Sequence, residues 1–594
     1  MSTPSWNLSV IYQGLDDPKI DMDLDSINSM LLSIQELTLD DHCIEDIQRA
    51  MITYQSCYKL VDSLETFSHC YLSVDTLDTK AHKLAGKVVK LKSLLKQAYL
   101  PVEQLLLTAS DDTICQLLTH EDPEVSGQDF PIRMLRSQAD QMMSVAEEQL
   151  ISALETDGRD GWARLYQNIT GALKVVTESG EKISLSQAAN SLNGSNFKQL
   201  ENNWRSIQNG MAMNKEAFAA ILNGLSGWRL SENVKRSKDR EIHFLDASLH
   251  QSRITSQTLD VLMKVTEENK SVGQKAGLLM ARVYQSQTMK PWNHLAGMPS
   301  ISNKAPKVYS FEEAINIVQS AFFEVSKEMG DFVALMVKEG WIDANPTNNR
   351  RLGAYCTGFA STRTPLVFMT WGGSLSNIAT LAHELGHAYH NWVMRDMPHH
   401  QTKYPMTLAE TASTFAESVV RDYLLISAKT RADKLEILWE DLSRCYTFMI
   451  NIPVRYHFES QFYQKRCESE LSADQLCELM SETWRYWYGP SMDEPDPYFW
   501  ASKLHFSMSH RSFYNYPYLF GYLFSNNVYS QRSSKGENFH DDYIALLRDT
   551  GRMTAEELTK KHLSQSLTQE SFWQQSIDNI KLKIDQFELL LDQQ

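Results

Sequence analysis

Residues 383–387 read His-Glu-Leu-Gly-His, and Glu410 follows twenty-three positions after the second histidine. Four steps nearly complete a helical turn, so His383 and His387 project from one face and can hold one ion. Neutral imidazole is a zinc ligand. A carboxylate such as Glu410 can supply a third protein ligand and leave the fourth position to water. Three protein ligands and an open position make a catalytic zinc site, not a closed structural one. Glu384 is rotated about 100° around the helix from His383, which places it to act on the water as general base and not to ligate.

The neighbouring residues carry competing explanations. Thr407-x-x-Glu410 also fits a capping box at a helix start; beside the histidine pair, the ligand reading is preferred. Gly386 offers no side chain at a place where substrate could approach. Position 390 is His where a longer three-histidine pattern needs Gly, and position 393 is Val. His390 is therefore read as a supporting or structural residue. Glu417 lies seven residues after Glu410 on the same helical face, where it can orient His387 or face solvent.

A second cluster lies downstream. Residues 505–522 hold His505, His510, Tyr514, Tyr516, Tyr518 and Tyr522. Tyr514, Tyr518 and Tyr522 fall at i, i+4 and i+8, a spacing that usually marks a core stripe. Phenol and imidazole donors also stabilise the tetrahedral oxyanion of peptide hydrolysis.

These side chains need a scaffold. Residues 364–371 form an apolar, partly β-branched run that ends at Gly372 and Gly373, the pattern of a strand and a tight turn. A helix over about 374–392 follows and carries the histidines. If the strand lies at a sheet edge, its free backbone groups can pair with an extended peptide; an ordinary core strand is the alternative. Helical periodicity runs through 24–39, 44–72, 77–98, 131–155, 310–338, 430–450, 536–550 and 568–592. Residues 180–200, rich in Ser, Asn and Gly, read as a joint after an N-terminal helical unit.

Composition narrows the function classes. The 594 residues include 42% hydrophobic and 22% charged side chains, ordinary for a globular protein. A net charge of −17 argues against a nucleic-acid partner, which calls for a basic face. The eight cysteines are scattered without a Cys-x-x-Cys pair, so reduced thiols are expected. No basic-then-apolar leader opens the sequence, and no run approaches the roughly 18 apolar residues that span a bilayer. Asn168-Ile-Thr and Asn193-Gly-Ser match the glycosylation pattern and are attributed to chance. A cytoplasmic protein with no membrane partner is expected.

Three segments together resemble the thimet oligopeptidase and oligoendopeptidase F family of zinc metallopeptidases, and most closely its bacterial oligoendopeptidase F branch. They are the run from Leu381 through His383, Glu384 and His387 to His390, the run from Ala409 to Glu417, and residues 505–522. The resemblance covers about residues 200–585. It implies a mainly α, multi-helical zincin-like metallopeptidase with a small β-sheet beside the zinc helix and a deep substrate channel. Residues 1–200 would be the N-terminal helical domain and 201–594 the catalytic domain. It implies one Zn2+ per chain held by His383, His387 and Glu410, with Glu384 as general base. It also places a histidine and tyrosines of the C-terminal segment over the scissile carbonyl. His505 fits the His-Phe start of that segment and His510 lies at a suitable distance before Gly521; His505, with Tyr514 and Tyr518, is preferred. Many relatives carry Asp six residues before the first zinc histidine, where this chain has Asn377; if that Asp orients a ligand imidazole, an amide would do so with less charge.

The expected function is hydrolysis of internal bonds in short peptides, with the substrate extended along residues 364–371. A helical metallocarboxypeptidase is one alternative, although no arginine in the sequence must serve a terminal carboxylate. A non-catalytic peptide-binding protein is the other.

Overall fold

The computed structural model describes residues 3–37, 43–192, 197–294, 296–299 and 307–593. The chain is mostly helical and packs as two compact units. One comprises Met1–Ala139, Pro306–Ile426 and Val528–Gln565; the other comprises Asp140–Ala305, Ser427–Asn527 and Ser566–Gln594. The packing units therefore interleave along the sequence. The Asn193-Gly-Ser site lies outside the described residues.

The first unit begins with three long helices. Asp17 caps Pro18–Gln35 by accepting from the Lys19 amide, and Ile20, Leu24, Ile27, Leu31 and Ile34 bury one stripe at three- and four-residue spacing. Asp78 likewise caps Thr79–Thr108. Ile44–Val74 packs against that helix around Ile47, Met51, Tyr99, Val102 and Leu106.

A three-stranded sheet completes the scaffold in this unit. Thr364–Phe368 is its middle strand, parallel to Ile342–Asp343 and antiparallel to Tyr355–Phe359. All five residues of the middle strand are buried. The expectation of a peptide paired along 364–371 is thereby corrected: both sides of that strand are already hydrogen-bonded. A sheet edge belongs instead to Tyr355–Phe359, where Thr66 on Ile44–Val74 donates its hydroxyl to the Gly358 carbonyl at 3.3 Å.

The middle strand leads through Gly372 and Gly373 into the motif helix, Leu375–Val393. Gly373 has φ +80°, and a Cβ there would lie 2.8 Å from Val308 Cγ1 and 3.1 Å from the Tyr309 carbonyl. Ser374 caps the helix in a capping box whose other member is Asn377. Asn377 Oδ1 also accepts from the Gly372 amide at 2.7 Å. This residue organises the turn into the helix.

In the second unit, residues 182–191 of the expected 180–200 joint form regular structure, while 193–196 lie outside the described residues. Lys182–Ser184 pairs antiparallel with Lys174–Val176, and Leu185–Ser191 is helical behind the Ser184 cap. Arg431–Tyr446 continues through a π-helical turn, Thr447–Asn451, into Ile452–Arg466. Pro453 sits near that junction, where its missing N–H is tolerated. The C-terminal helix Glu570–Asp592 buries Phe572, Trp573, Ile577, Ile580, Ile584 and Phe587.

Two expected helices are each broken by a capping serine. The 310–338 pattern divides into Phe311–Phe323 and Lys327–Lys338 at the Ser326 cap. The 131–155 pattern divides before Val145–Glu155, where Ser144 and Glu147 form a capping box. At the first break hydrophobic spacing continues because both helices bury residues, among them Val318 and Phe322 on one and Met329 and Val333 on the other. Gly373→Ala is expected to lower stability by about 1–3 kcal/mol through positive φ and overpacking, read as a reduced urea midpoint.

Candidate active site

His383 and His387 stand one turn apart on the motif helix with their Nε2 atoms 3.2 Å from each other. Glu410, on the helix Met406–Ser427, brings Oε2 to 3.5 Å from His383 Nε2 and 3.8 Å from His387 Nε2. The Ser413 hydroxyl donates to the same Oε2 at 2.8 Å.

The far nitrogen of each ring decides what the near one offers. His383 Nδ1 donates to the buried Glu417 carboxylate at 2.6 Å. His387 makes a hydrogen bond to the Ala409 backbone. Each imidazole therefore turns an Nε2 lone pair toward the other and toward Glu410. Three acceptors converging on one point repel unless a cation stands between them.

The spacing suits zinc. With ligand bonds of about 2.0–2.1 Å, neighbouring donors of a tetrahedral site lie about 3.4 Å apart. The donor atoms of His383, His387 and Glu410 all fall within 4.8 Å of one another. This set fits one zinc ion in number, chemistry and separation.

Gly386 explains how Glu410 arrives. A Cβ on Gly386 would lie 2.6 Å from the Ala412 carbonyl, 2.7 Å from Ser413 Cα and 2.8 Å from Ala416 Cβ. The absent side chain thus admits the Glu410 helix, in place of the substrate approach expected from sequence. Glu417 is also corrected: it orients His383, not His387, and is shielded from solvent. Asn377 serves the helix cap and the Gly372 turn, where the sequence suggested support of a ligand ring. His390 is buried elsewhere, with Nε2 at the Leu547 carbonyl and the Thr550 hydroxyl and its ring stacked on Tyr404 at 4.1 Å.

Glu384 is buried, and its Oε2 has no hydrogen-bond partner among the described residues. Burial pushes its carboxyl up to about 7; the neighbouring His383 opposes this and Glu410 adds to it. Burial also brings His387 down to about 4, so its free base is the resting form at neutral pH. Cys356, on the edge strand Tyr355–Phe359, is close enough for Glu384 to raise its thiol pKa further after burial. Its sulfur accepts from Asn391 Nδ2 at 3.7 Å.

The second unit brings His505, Tyr514 and Tyr518 together. The His505 and Tyr514 ring centroids are 4.8 Å apart, and the Tyr518 hydroxyl donates to that of Tyr514 at 3.2 Å. His510 sits on an exposed stretch beside Arg159, 3.3 Å from its guanidinium. Arg455, which carried no signal in the sequence, lies with Nη1 2.9 Å from His505 Nδ1 and donates to Asn515 Oδ1 at 3.0 Å. Burial first, and Arg455 next, bring His505 down to about 4.

The loop between these residues is tied down. Arg229 donates to the carbonyls of Met508, Ser509 and Arg511, the last two at 3.2 and 3.1 Å. Glu459 accepts from the Phe513 amide at 2.8 Å. Phe513 has φ +53°, a strained conformation for a side chain of that size.

Comparison with known proteins places the chain in a family. Residues 199–578 match the family model of Peptidase family M3, and residues 106–174 match that of Oligopeptidase F. The chain belongs to peptidase family M3 and is a metallopeptidase. It is 23% identical to Oligopeptidase PepF of Bacillus subtilis over 463 residues, 76% of this chain and 67% of that relative. Its fold matches a candidate peptidase from Chlamydophila abortus with a TM-score of 0.82 and 19% identity, over 99% of this chain and 98% of the other. Oligoendopeptidase-F from Enterococcus faecium matches with a TM-score of 0.68 and 17% identity, over 97% and 98% of the two chains.

The helix contact at Gly386 can be tested against a neutral control. Gly386→Ala is expected to cost about 1–3 kcal/mol by overpacking. Gly86→Ala, where nothing lies within 4 Å, is expected to gain about 0.5–1 kcal/mol from reduced backbone entropy in a helix. Chemical denaturation of the two variants provides the comparison.

Proposed function

We propose that this metallopeptidase is a zinc-dependent oligoendopeptidase, with His383, His387 and Glu410 as metal ligands and Glu384 as general base. One observation carries the reading: three lone-pair donors converge within 4.8 Å beside a buried carboxylate whose Oε2 is unpartnered. The relatives named for oligopeptidase and oligoendopeptidase activity support the choice of peptide substrate.

Held by His383, His387 and Glu410, a zinc ion would supply Lewis acidity to the scissile carbonyl and to the attacking water. Glu384 takes one proton from that water as its oxygen bonds to the carbonyl carbon. The same carboxyl returns the proton to the amide nitrogen as the C–N bond breaks, giving a carboxylic acid and an amine; the acid's remaining proton then passes to the amine, leaving a carboxylate and an ammonium. Glu417 fixes the tautomer of His383, and Ser413 steadies the Glu410 oxygen that faces both histidines. His505, Tyr514 and Tyr518 are proposed as donors to the tetrahedral oxyanion. The extended peptide is proposed to pair along the outer side of Tyr355–Phe359, since the adjacent strand has no free side.

No helix among the described residues is long and apolar enough to cross a membrane. A cytoplasmic location, and an inherited boundary near residue 200 between an N-terminal helical domain and the catalytic domain, belong to the same proposal.

The deciding experiment uses an internally quenched peptide of about ten residues, blocked at both ends. Internal cleavage that is lost to a chelator and regained with zinc is expected, with products read by mass spectrometry. Release of single residues from peptides with free C-termini, and none from blocked ones, would replace the reading with a carboxypeptidase. Zinc binding without any cleavage would leave a binding protein. Glu384→Gln should retain zinc and lose roughly a hundred- to ten-thousandfold in kcat. Glu417→Gln should weaken zinc affinity by about 10–100-fold, measured by competition with a chromogenic chelator.

A further inference from the structure

Beside His505, the second unit carries two cations without an acidic partner in contact. Among the described residues, the ammonium of half-buried Lys503 enters no hydrogen bond or ion pair; it lies 5.1 Å from the centroid of the Phe499 ring. The Arg455 guanidinium lies 4.9 Å from the same centroid. Sharing one ring puts the two charges at most about 10 Å apart. Each gains from the π face, but they repel each other in a poorly solvated setting.

Their remaining neighbours are uncharged or already engaged. Arg455 donates through Nε to Asn451 and through Nη1 to Asn515, with His505 Nδ1 beside that same nitrogen. Asp496 is the acid whose field reaches Lys503, yet its carboxylate accepts from Trp204 Nε1 at 3.2 Å and Gln208 Nε2 at 2.9 Å. Burial and then Arg455 bring Lys503 down to about 8, against the weaker pull of Asp496. A second buried imidazole, His294, also feels both cations. A half-buried pair of like charges is costly to hold, and an arriving anion would remove that cost. With Arg455 Nε and Nη1 engaged, its Nη2 and the Lys503 ammonium are the donors left to meet a carboxylate.

We propose that Lys503 and Arg455 receive a carboxylate of the peptide substrate, at a site adjoining the His505 and Tyr514 donors. The identity of the ligand rests on the peptidase reading; the cation pair itself does not. A peptide can present that carboxylate from its C-terminus or from an Asp or Glu side chain. In either case the site would make binding selective for a negative charge on the peptide.

Four peptides of one sequence separate the sources: free acid or amide at the C-terminus, each with Glu or Gln at an internal position. Binding is measured calorimetrically on zinc-loaded Glu384→Gln protein, and turnover on the wild-type enzyme. At least one carboxylate is expected to improve affinity about tenfold or more. Loss on amidation assigns the C-terminus, and loss on exchange of Glu for Gln assigns the side chain. Lys503→Met, placed in the Glu384→Gln background, should reduce the ratio to about one, while Lys503→Arg should keep it. Equal binding of all four peptides, or a preference that survives Lys503→Met, would overturn the proposal. If the wild-type enzyme cuts none of them, the peptidase reading fails, and the binding ratios still decide the carboxylate site.

Discussion

The contact on which the site depends is the one between Gly386 and the backbone at Ala412 and Ser413. Two helices rarely approach so closely that a single methyl group would collide with a carbonyl and a Cα at once. At this distance a side chain as short as glutamate reaches across to the histidine pair. Glu410 and Glu417, seven residues apart on one helical face, then meet His383 from its two nitrogens. One carboxylate joins the donor set and the other fixes the tautomer. A looser crossing would separate these functions, because neither carboxylate could follow the ring without its helix.

Burial gives the site its electrostatic character. It holds His387 in the neutral form and favours the protonated form of Glu384. A divalent ion inverts this balance, since it supplies the positive charge that the surroundings withhold. Two Nε2 atoms 3.2 Å apart with lone pairs facing each other would be poor at holding the site together without an ion. The local cost is compensated by the surrounding contacts, from the Ser374–Asn377 cap to the strand that feeds the helix.

What the sequence made legible was local or periodic. The histidine pair is written in one helical turn, and the following Glu410 gains its meaning from that pair. The apolar run before the motif announced a strand, but not its place in the sheet. That place depends on Ile342–Asp343, a two-residue strand too short to carry a pattern of its own. Gly386 looked like an opening for substrate because its neighbour in space lies 26 residues or more along the chain. Asn377 and Glu417 were visible as residues with several possible partners; only packing chose between a turn and a ring, or between His383 and His387. Arg455 had no signal, since fifty residues separate it from His505 and no motif joins them.

The His505–Tyr514 region shows why spacing alone is an incomplete description of a functional segment. His505, Tyr514 and Tyr518 are close in sequence, yet the intervening chain would be free to splay without its side-chain tethers. Arg229 gathers the carbonyls of Met508, Ser509 and Arg511 from a helix nearly three hundred residues upstream, and Glu459 captures the amide of a residue held at positive φ. A strained backbone persists only where its surroundings over-determine it. Here the restraint comes from half-buried Arg229, from buried Glu459 and from the Phe513 ring packed against Phe244 and Tyr463. The order of these three side chains is thus a property of the whole unit, although their identities are read from a segment of fourteen residues.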